Sequence, residues 1–346
     1  MLWPWIAALA AAAILLFLLA YLCLRTAFGV RCEGDPSLKY FTNADFPGLE
    51  AAPVAFPSHK GQLLRGAVYT RPEVGDPIGL AVFSHGMGGG HLSYTTEINT
   101  LAAAGFAVLA YDNTGTMASE GRALGSFYQA ARDLRAALAF ARHDAALSRY
   151  RPVLVGHSWG GYAVCQALAE EEAHIAGAVA FSAPDSAAAA ICDNASSLLG
   201  FPAGWLRPFF AAAAAVLGGP TSLRSSASIL SRTDRTPILL LQGDADPDVR
   251  LPSSPLSRPA VRSKENITCT LCPGRGHNLY QTAESERYLN EVMGRIFAAR
   301  KKYGRSGIPE EEKARLYDID YRLITQEDPA LMRTVTDFMR SCVQKN

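Results

Sequence analysis

Five consecutive residues, Gly156-His157-Ser158-Trp159-Gly160, carry the pattern G-x-S-x-G. The pattern suits nucleophilic catalysis, because Gly156 and Gly160 let a chain turn sharply from strand to helix without a Cβ clash and leave the Ser158 hydroxyl exposed near a helix's positive end. A serine hydroxyl is a weak nucleophile near neutral pH unless a base takes its proton and a carboxylate fixes that base's tautomer. The run Ile238-Leu-Leu-Leu-Gln-Gly-Asp-Ala-Asp-Pro-Asp offers three carboxylates, Asp244, Asp246 and Asp248, just past an apolar stretch. Farther on, Cys272-Pro-Gly-Arg-Gly-His places His277 in a glycine-rich loop, and of the 7 histidines it alone follows those aspartates. The chain order Ser, Asp, His differs from two unrelated serine-protease orders, which put the serine last. Charge on the attacked carbonyl oxygen also needs backbone N–H donors. One is that of Trp159, next after the serine. The other falls in Ser84-His85-Gly86-Met87-Gly88-Gly89-Gly90, where Met87 N–H is the candidate and Gly86 permits close approach. His85, at a strand end, reads as a brace for that loop.

These residues need a scaffold, and the hydropathy pattern supplies one. A β-hairpin is expected from Val54–Phe56 and Leu63–Tyr69 around the turn Ser58-His-Lys-Gly. Apolar runs of strand length then alternate with helical stretches: strand 78–83, helix 94–104, strand 106–111, helix 127–142, strand 152–155, helix 158–171 and strand 176–181. Residues 185–235 form an insertion. The alternation resumes with strand 237–241, strand 266–272 and a helix over 284–302. Continuous apolar strands separated by helices predict a parallel sheet buried on both faces. The domain reading is an anchor at 2–24, a linker at 25–52, core segments at 53–184 and 236–302 around the 185–235 insertion, and a helical extension at 303–346 ending in an amphipathic helix over Pro329–Cys342.

Leu2 to Leu24 contains no charged residue and is long enough as a helix, about 34 Å, to cross a bilayer core. Trp3, Trp5 and Tyr21 sit where amphipathic rings prefer the headgroup region. A cleaved signal peptide would want a basic start and an A-x-A-like site, and the sequence has neither, so the segment reads as an uncleaved single-pass anchor. Arg25, Arg31 and Lys39 follow it, which favours the cytoplasmic side for the domain; the tripeptides Asn194-Ala-Ser and Asn266-Ile-Thr would argue the other way if glycosylated. With 33 basic and 32 acidic side chains the net charge is +1, too weak a field to gather nucleic acid. Cys269-x-x-Cys272 lacks a second ligand pair and lies in a strand, where the two side chains point to opposite faces; it reads as two half-buried small side chains.

On the His85-Gly86-Met87 loop, the segment Tyr111-Asp112-Asn113-Thr114-Gly115 and the elbow at Gly156–Gly160, the chain resembles the α/β-hydrolase superfamily, close to its monoacylglycerol lipase-like and serine aminopeptidase-like (S33) branch. The resemblance covers about residues 54 to 300. It implies an α/β-hydrolase fold with a mostly parallel central sheet flanked by helices, and it makes the insertion after strand six a lid over the nucleophile. It also implies a Gly-x-x-Asp-x-x-Val acid motif, matched by Gly243, Asp246 and Val249, which selects Asp246 from its neighbours, with Asp185 as the fallback acid. Two departures are the proline-rich stretch after Asp246 and the long tail. The lid contains no Glu and only Asp185, Asp193 and Asp234, while Leu198, Leu199, Phe201, Trp205, Phe209, Phe210 and Leu217 supply apolar surface. The expected activity is therefore membrane-anchored cleavage of a lipid or other apolar acyl ester, with Ser158, His277 and Asp246 as triad and no metal or organic cofactor. An S33-like aminopeptidase or amidase, and a non-catalytic binding module at the membrane, are the alternatives.

Overall fold

A computed structural model describes residues 2–304 and 307–344. Its strands are β1 (Glu50–Pro57), β2 (Leu63–Thr70), β3 (Gly79–Ser84), β4 (Phe106–Tyr111), β5 (Val153–His157), β6 (Gly177–Phe181), β7 (Ile238–Gly243) and β8 (Ile267–Cys272). The helices are α1 (Trp3–Phe28), α2 (Thr95–Ala103), α3 (Gln129–His143), α4 (Trp159–Glu171), α5 (Ala187–Leu199), α6 (Arg207–Gly218), α7 (Ser226–Leu230), α8 (Pro259–Arg262), α9 (Ala283–Tyr303), α10 (Glu310–Leu316), α11 (Tyr321–Ile324) and α12 (Pro329–Gln344).

The strands form one eight-stranded sheet in the order β1-β2-β4-β3-β5-β6-β7-β8. β1 and β2 pair antiparallel, β2 joins β4 antiparallel, and every pairing from β4 to β8 is parallel. The continuous apolar runs follow from burial on both faces. Leu80, Val82, Leu154, Ala178, Ala180, Ile238 and Leu240 pack into one core, and the residues between them, such as Phe83, Val155, Val179 and Leu241, pack into the other. Cys269 lies against the first core and Cys272 against the second, as the strand period requires. The hairpin strand β1 is longer than the three residues expected, and short helical turns occupy the proline-rich stretch after Asp246.

Helix α12 and the C-terminal half of α1 are both built into this core. Met332, Val335, Met339 and Cys342 of α12 are buried in the second core beneath the sheet. At the other end α1 is long and apolar enough to cross a membrane, with mean hydropathy 2.7 over its most apolar window. Its C-terminal half is not free: Ala20, Leu24 and Phe28 are buried with Phe210, Ala213 and Ala214 of α6 in the first core.

One buried carboxyl pair has a measurable consequence. Glu97 of α2 is 5% exposed, and burial together with the Glu327 carboxyl pushes it well above the usual range; burial raises Glu327 as well. In the unfolded chain both titrate near 4.5, so above that pH the unfolded state releases protons that the folded state retains, and stability falls as pH rises towards the folded values. Glu97→Gln should therefore raise the melting temperature at pH 8 by several degrees and do little at pH 5, as measured by thermal unfolding at the two pH values.

Candidate active site

The nucleophile elbow is made by β5 running straight into α4. Ser158 stands between them at φ +56° and ψ −114°, a strained backbone for a side-chain-bearing residue. Its N–H donates to Phe181 O at 2.8 Å and its C=O accepts from Tyr162 N–H at 2.9 Å, so strand and helix hold the turn from both sides. The flanking glycines are demanded by close approach. A Cβ on Gly156 would fall 2.4 Å from Gly160 O, and one on Gly160 would fall 1.9 Å from Ser84 O and 2.9 Å from His85 O. The second contact shows that the loop after β3 lies directly against the elbow, with Gly86 against His157 and the His85 ring 6.4 Å from that of Trp159.

Three distant parts of the chain meet at the C-terminal edge of the sheet. Ser158 Oγ lies 2.9 Å from His277 Nε2, and His277 Nδ1 lies 2.9 and 3.0 Å from the two carboxylate oxygens of Asp246. With Nδ1–H donating to Asp246, Nε2 is the lone pair that faces the serine hydroxyl. Asp246 is 4% exposed. Burial alone would raise its carboxyl, yet hydrogen bonds from His277 and from the Asp248 and Val249 amides hold it below the ordinary carboxylate range. Burial likewise opposes charge on His277, but the Asp246 hydrogen bond and the charges of Asp246, Asp248 and Glu286 outweigh it and raise the ring above its ordinary value.

The other candidate acids are occupied elsewhere. Asp244 is exposed and accepts from Gly274 N–H at 2.7 Å, capping the turn after β8. The fallback reading of Asp185 is overturned: its Oδ1 accepts Ala227 N–H at 2.8 Å and so holds the start of α7, and Arg258 lies 3.7 Å from its Oδ2. His85 is fully buried, and burial lowers its basicity; Nδ1–H donates to Gly86 O at 2.7 Å while Nε2 accepts Asn113 N–H at 3.0 Å, so the ring staples the loop after β3 to the segment after β4. A second buried pair, His91 Nδ1 to Asp112 Oδ1 at 2.7 Å, spends its other ring nitrogen on Tyr69 Oη. Ligand atoms of Asp246, Asp248 and His277 all lie within 4.8 Å of one another. A cation held there would take His277 Nδ1 from Asp246.

Several supporting residues carry no sequence motif. His157 Nε2–H donates to His277 O at 3.0 Å and its Nδ1 accepts Tyr94 Oη–H at 2.9 Å. Burial and the charge of His277 push His157 down to about 3, which favours the neutral ring near pH 7. Ser182, at φ +46°, donates its hydroxyl to the same His277 carbonyl at 2.8 Å. Only the place of His157 beside the nucleophile hints at its position; Ser182 leaves no signal.

In the 185–235 insertion, Phe201 and Trp205 are exposed, Phe210 is buried, and Phe209 and Leu217 are half-buried. The side chains of Leu198 and Leu199 lie outside the described residues. α5 is tied to the loop that carries Asp246, through Asn194 Nδ2 to Asp248 O at 3.3 Å and Asp193 Oδ2 to Arg250 N at 3.0 Å.

Comparison with known proteins agrees with this architecture. Residues 75–218 match the family model described as serine aminopeptidase, S33. The esterase Pf2001 of Pyrococcus furiosus has a similar structure, with TM-score 0.57 and 17% identity over 80% of this chain and 98% of its own. Est1E of Butyrivibrio proteoclasticus has TM-score 0.52 and 16% identity over 85% of this chain and 99% of its own. No curated protein matches the chain in sequence. With a parallel sheet in this order, a strand-to-helix elbow bearing a strained serine, and these likenesses, the chain has the α/β-hydrolase fold.

Proposed function

We propose that the chain is a membrane-anchored serine hydrolase that cleaves a carboxylic ester with an apolar acyl part, by way of an acyl-enzyme. Ser158 Oγ attacks the carbonyl carbon while His277 Nε2 takes its proton. Asp246 keeps Nδ1–H in place and favours the imidazolium, and the Met87 and Trp159 N–H groups receive the developing oxyanion. His277 then returns the proton to the leaving alcohol, and a water activated by the same ring releases the acid. The observation that carries this reading is the unbroken Ser158–His277–Asp246 line, with 2.9 Å from Oγ to Nε2 and 2.9 Å from Nδ1 to carboxylate.

The choice of ester over amide rests on the lid's acids. A peptidase acting on free N-termini needs a carboxylate to pair the α-ammonium. Asp185 already serves α7, Asp193 accepts the Arg250 amide and Asp234 pairs with Lys264. The likeness to the solved esterase Pf2001 points the same way. An S33-like aminopeptidase is the rival that the family description favours. Parallel assays on p-nitrophenyl acyl esters and aminoacyl anilides separate them: turnover of the esters, rising with acyl length, is expected, and preference for the anilides would reverse the reading. A non-catalytic binding module would retain neither activity.

The membrane reading rests on how α1 is docked. Packing of α1 begins at Phe17, so the part projecting freely from the domain is about 21 Å long, short of a bilayer core of about 30 Å. A span would then bring α6 to the bilayer surface, where exposed Phe201, Trp205 and Val216 could meet lipid and an apolar ester could enter. Phe28 also stacks edge-on against Phe127 at 6.0 Å, and Phe127 packs on Trp159 at 6.4 Å, contacts that cleavage would forfeit. Arg25 in the last turn of α1 and Arg31 just beyond it favour the cytoplasmic side. The sequon amides are spent internally, Asn266 on Thr233 O and Thr236 O and Asn194 on Ala190 O, which fits a chain that carries no glycan. The tryptophan-bearing N-terminal peptide should be recovered from the membrane-bound protein; its loss there would make α1 a signal sequence.

A further inference from the structure

The loop that carries His277 is held by neighbours on both sides of its backbone. Glu286, in the first turn of α9, accepts Gly276 N–H through Oε2 at 3.0 Å and Asn278 N–H through Oε1 at 2.9 Å. Those two amides flank His277. The carbonyl of His277 itself accepts Ser182 Oγ–H at 2.8 Å and His157 Nε2–H at 3.0 Å. Glu286 is 7% exposed, so its two charge-assisted bonds stand largely shielded from water. Glycine at 276 is explained by the same contact, since a Cβ there would sit 2.5 Å from Glu286 Oε1.

We propose that Glu286 is a positioning residue for the reaction: its carboxylate bridges the Gly276 and Asn278 amides and fixes the loop that aims His277 Nε2 at Ser158. The proposal rests on the assignment of Ser158 and His277 as nucleophile and base. A displacement of the ring by about 1 Å is enough to cost catalysis about 100-fold. The titratable groups facing His277 are Asp246 and Asp248 from the loop after β7, Glu286 from α9 and His157 from the elbow. Three are carboxylates that favour the imidazolium, so neutralising Glu286 makes the ring a weaker base.

Glu286→Gln preserves length and volume but turns one carboxylate oxygen into an NH2 facing a backbone N–H, donor against donor. With the full chain in detergent micelles, kcat/KM should fall about 10- to 100-fold at nearly constant KM, and fluorophosphonate labelling of Ser158 should slow in proportion. The acid limb of the kcat/KM profile should move to lower pH, a change that loss of folded protein alone would not produce. Glu284→Gln, exposed in the first turn of the same helix, should alter none of these. If the wild-type protein is not labelled at Ser158, the nucleophile assignment fails and Glu286 loses its role with it. If the wild type is labelled and Glu286→Gln keeps both rate and acid limb, the Glu286 proposal alone is overturned. Should Glu286→Gln not fold, amide exchange in the wild type decides: Gly276 and Asn278 exchanging as slowly as the amides of β7 supports the bridge, and exchange at open-loop rates refutes it.

Discussion

Ser158→Ala should lower kcat on the order of 10⁴-fold or more and abolish fluorophosphonate labelling while leaving a folded protein. The fold survives because the hydroxyl's one partner among the described residues is His277 Nε2, and the elbow is held by backbone bonds that alanine keeps. Ser158→Gly sharpens the expectation. The serine sits at φ +56°, a region that costs a side-chain-bearing residue on the order of 1 kcal/mol or more and costs glycine almost nothing. The glycine variant should be as inactive as the alanine variant yet melt at a higher temperature, the pattern of a site that gives up stability for a presented nucleophile. Measured together, labelling, kcat and melting temperature separate a strained catalytic serine from a strained turn of no chemical use. Equal melting temperatures for the two variants, or residual labelling in either, would count against that assignment.

Much of the scaffold was legible because both faces of its sheet are buried. Strands such as Leu80–Phe83 and Ile238–Leu241 read as unbroken apolar runs, and the helices between them follow from their period. Gly156 to Gly160 marked the elbow because two glycines are sterically compulsory there. The residues left unseen depend on tertiary placement. Glu286 is one of several acids at a helix start, and nothing in its neighbourhood tells that both its oxygens reach back to amides eight and ten residues earlier. Asp185 resembled a candidate acid by position in the chain, yet the turn after β6 directs it to the amide of Ala227 instead. Hydropathy found α1 by its length and lack of charge, but could not tell that one stripe of it, Ala20, Leu24 and Phe28, would be sealed against α6. In each case the local pattern fixes the element, and the partner is chosen by packing between elements far apart in sequence.

Asp246→Asn is the second large effect, about 10⁴-fold in kcat, and the geometry explains why so small a change should matter. Asp246 Oδ1 accepts the amides of Asp248 and Val249, each at 2.9 Å, and Oδ2 accepts Gln242 Nε2–H at 3.0 Å. His277 Nδ1–H lies between the two oxygens. An asparagine must place its NH2 at one of these positions. At Oδ1 it would confront two backbone N–H donors whose direction is fixed, so the NH2 goes to the Oδ2 side, where it meets a single side-chain donor, Gln242 Nε2. There it also faces His277, and the ring answers by exposing an unprotonated Nδ1 and carrying its proton on Nε2. That tautomer points a donor at Ser158 Oγ and has no lone pair for the serine's proton. The variant should fold, because the backbone bonds to residues 248 and 249 survive, and kcat should recover as pH rises high enough for hydroxide to compete for the serine proton. The same substitution also removes the largest force raising the basicity of His277, so protonation of the ring should begin at a lower pH than in the wild type. Nitrogen NMR of His277 reads both effects: the proton should sit on Nδ1 in the wild type and on Nε2 in Asp246→Asn, and an unchanged tautomer would remove Asp246 from its assigned role.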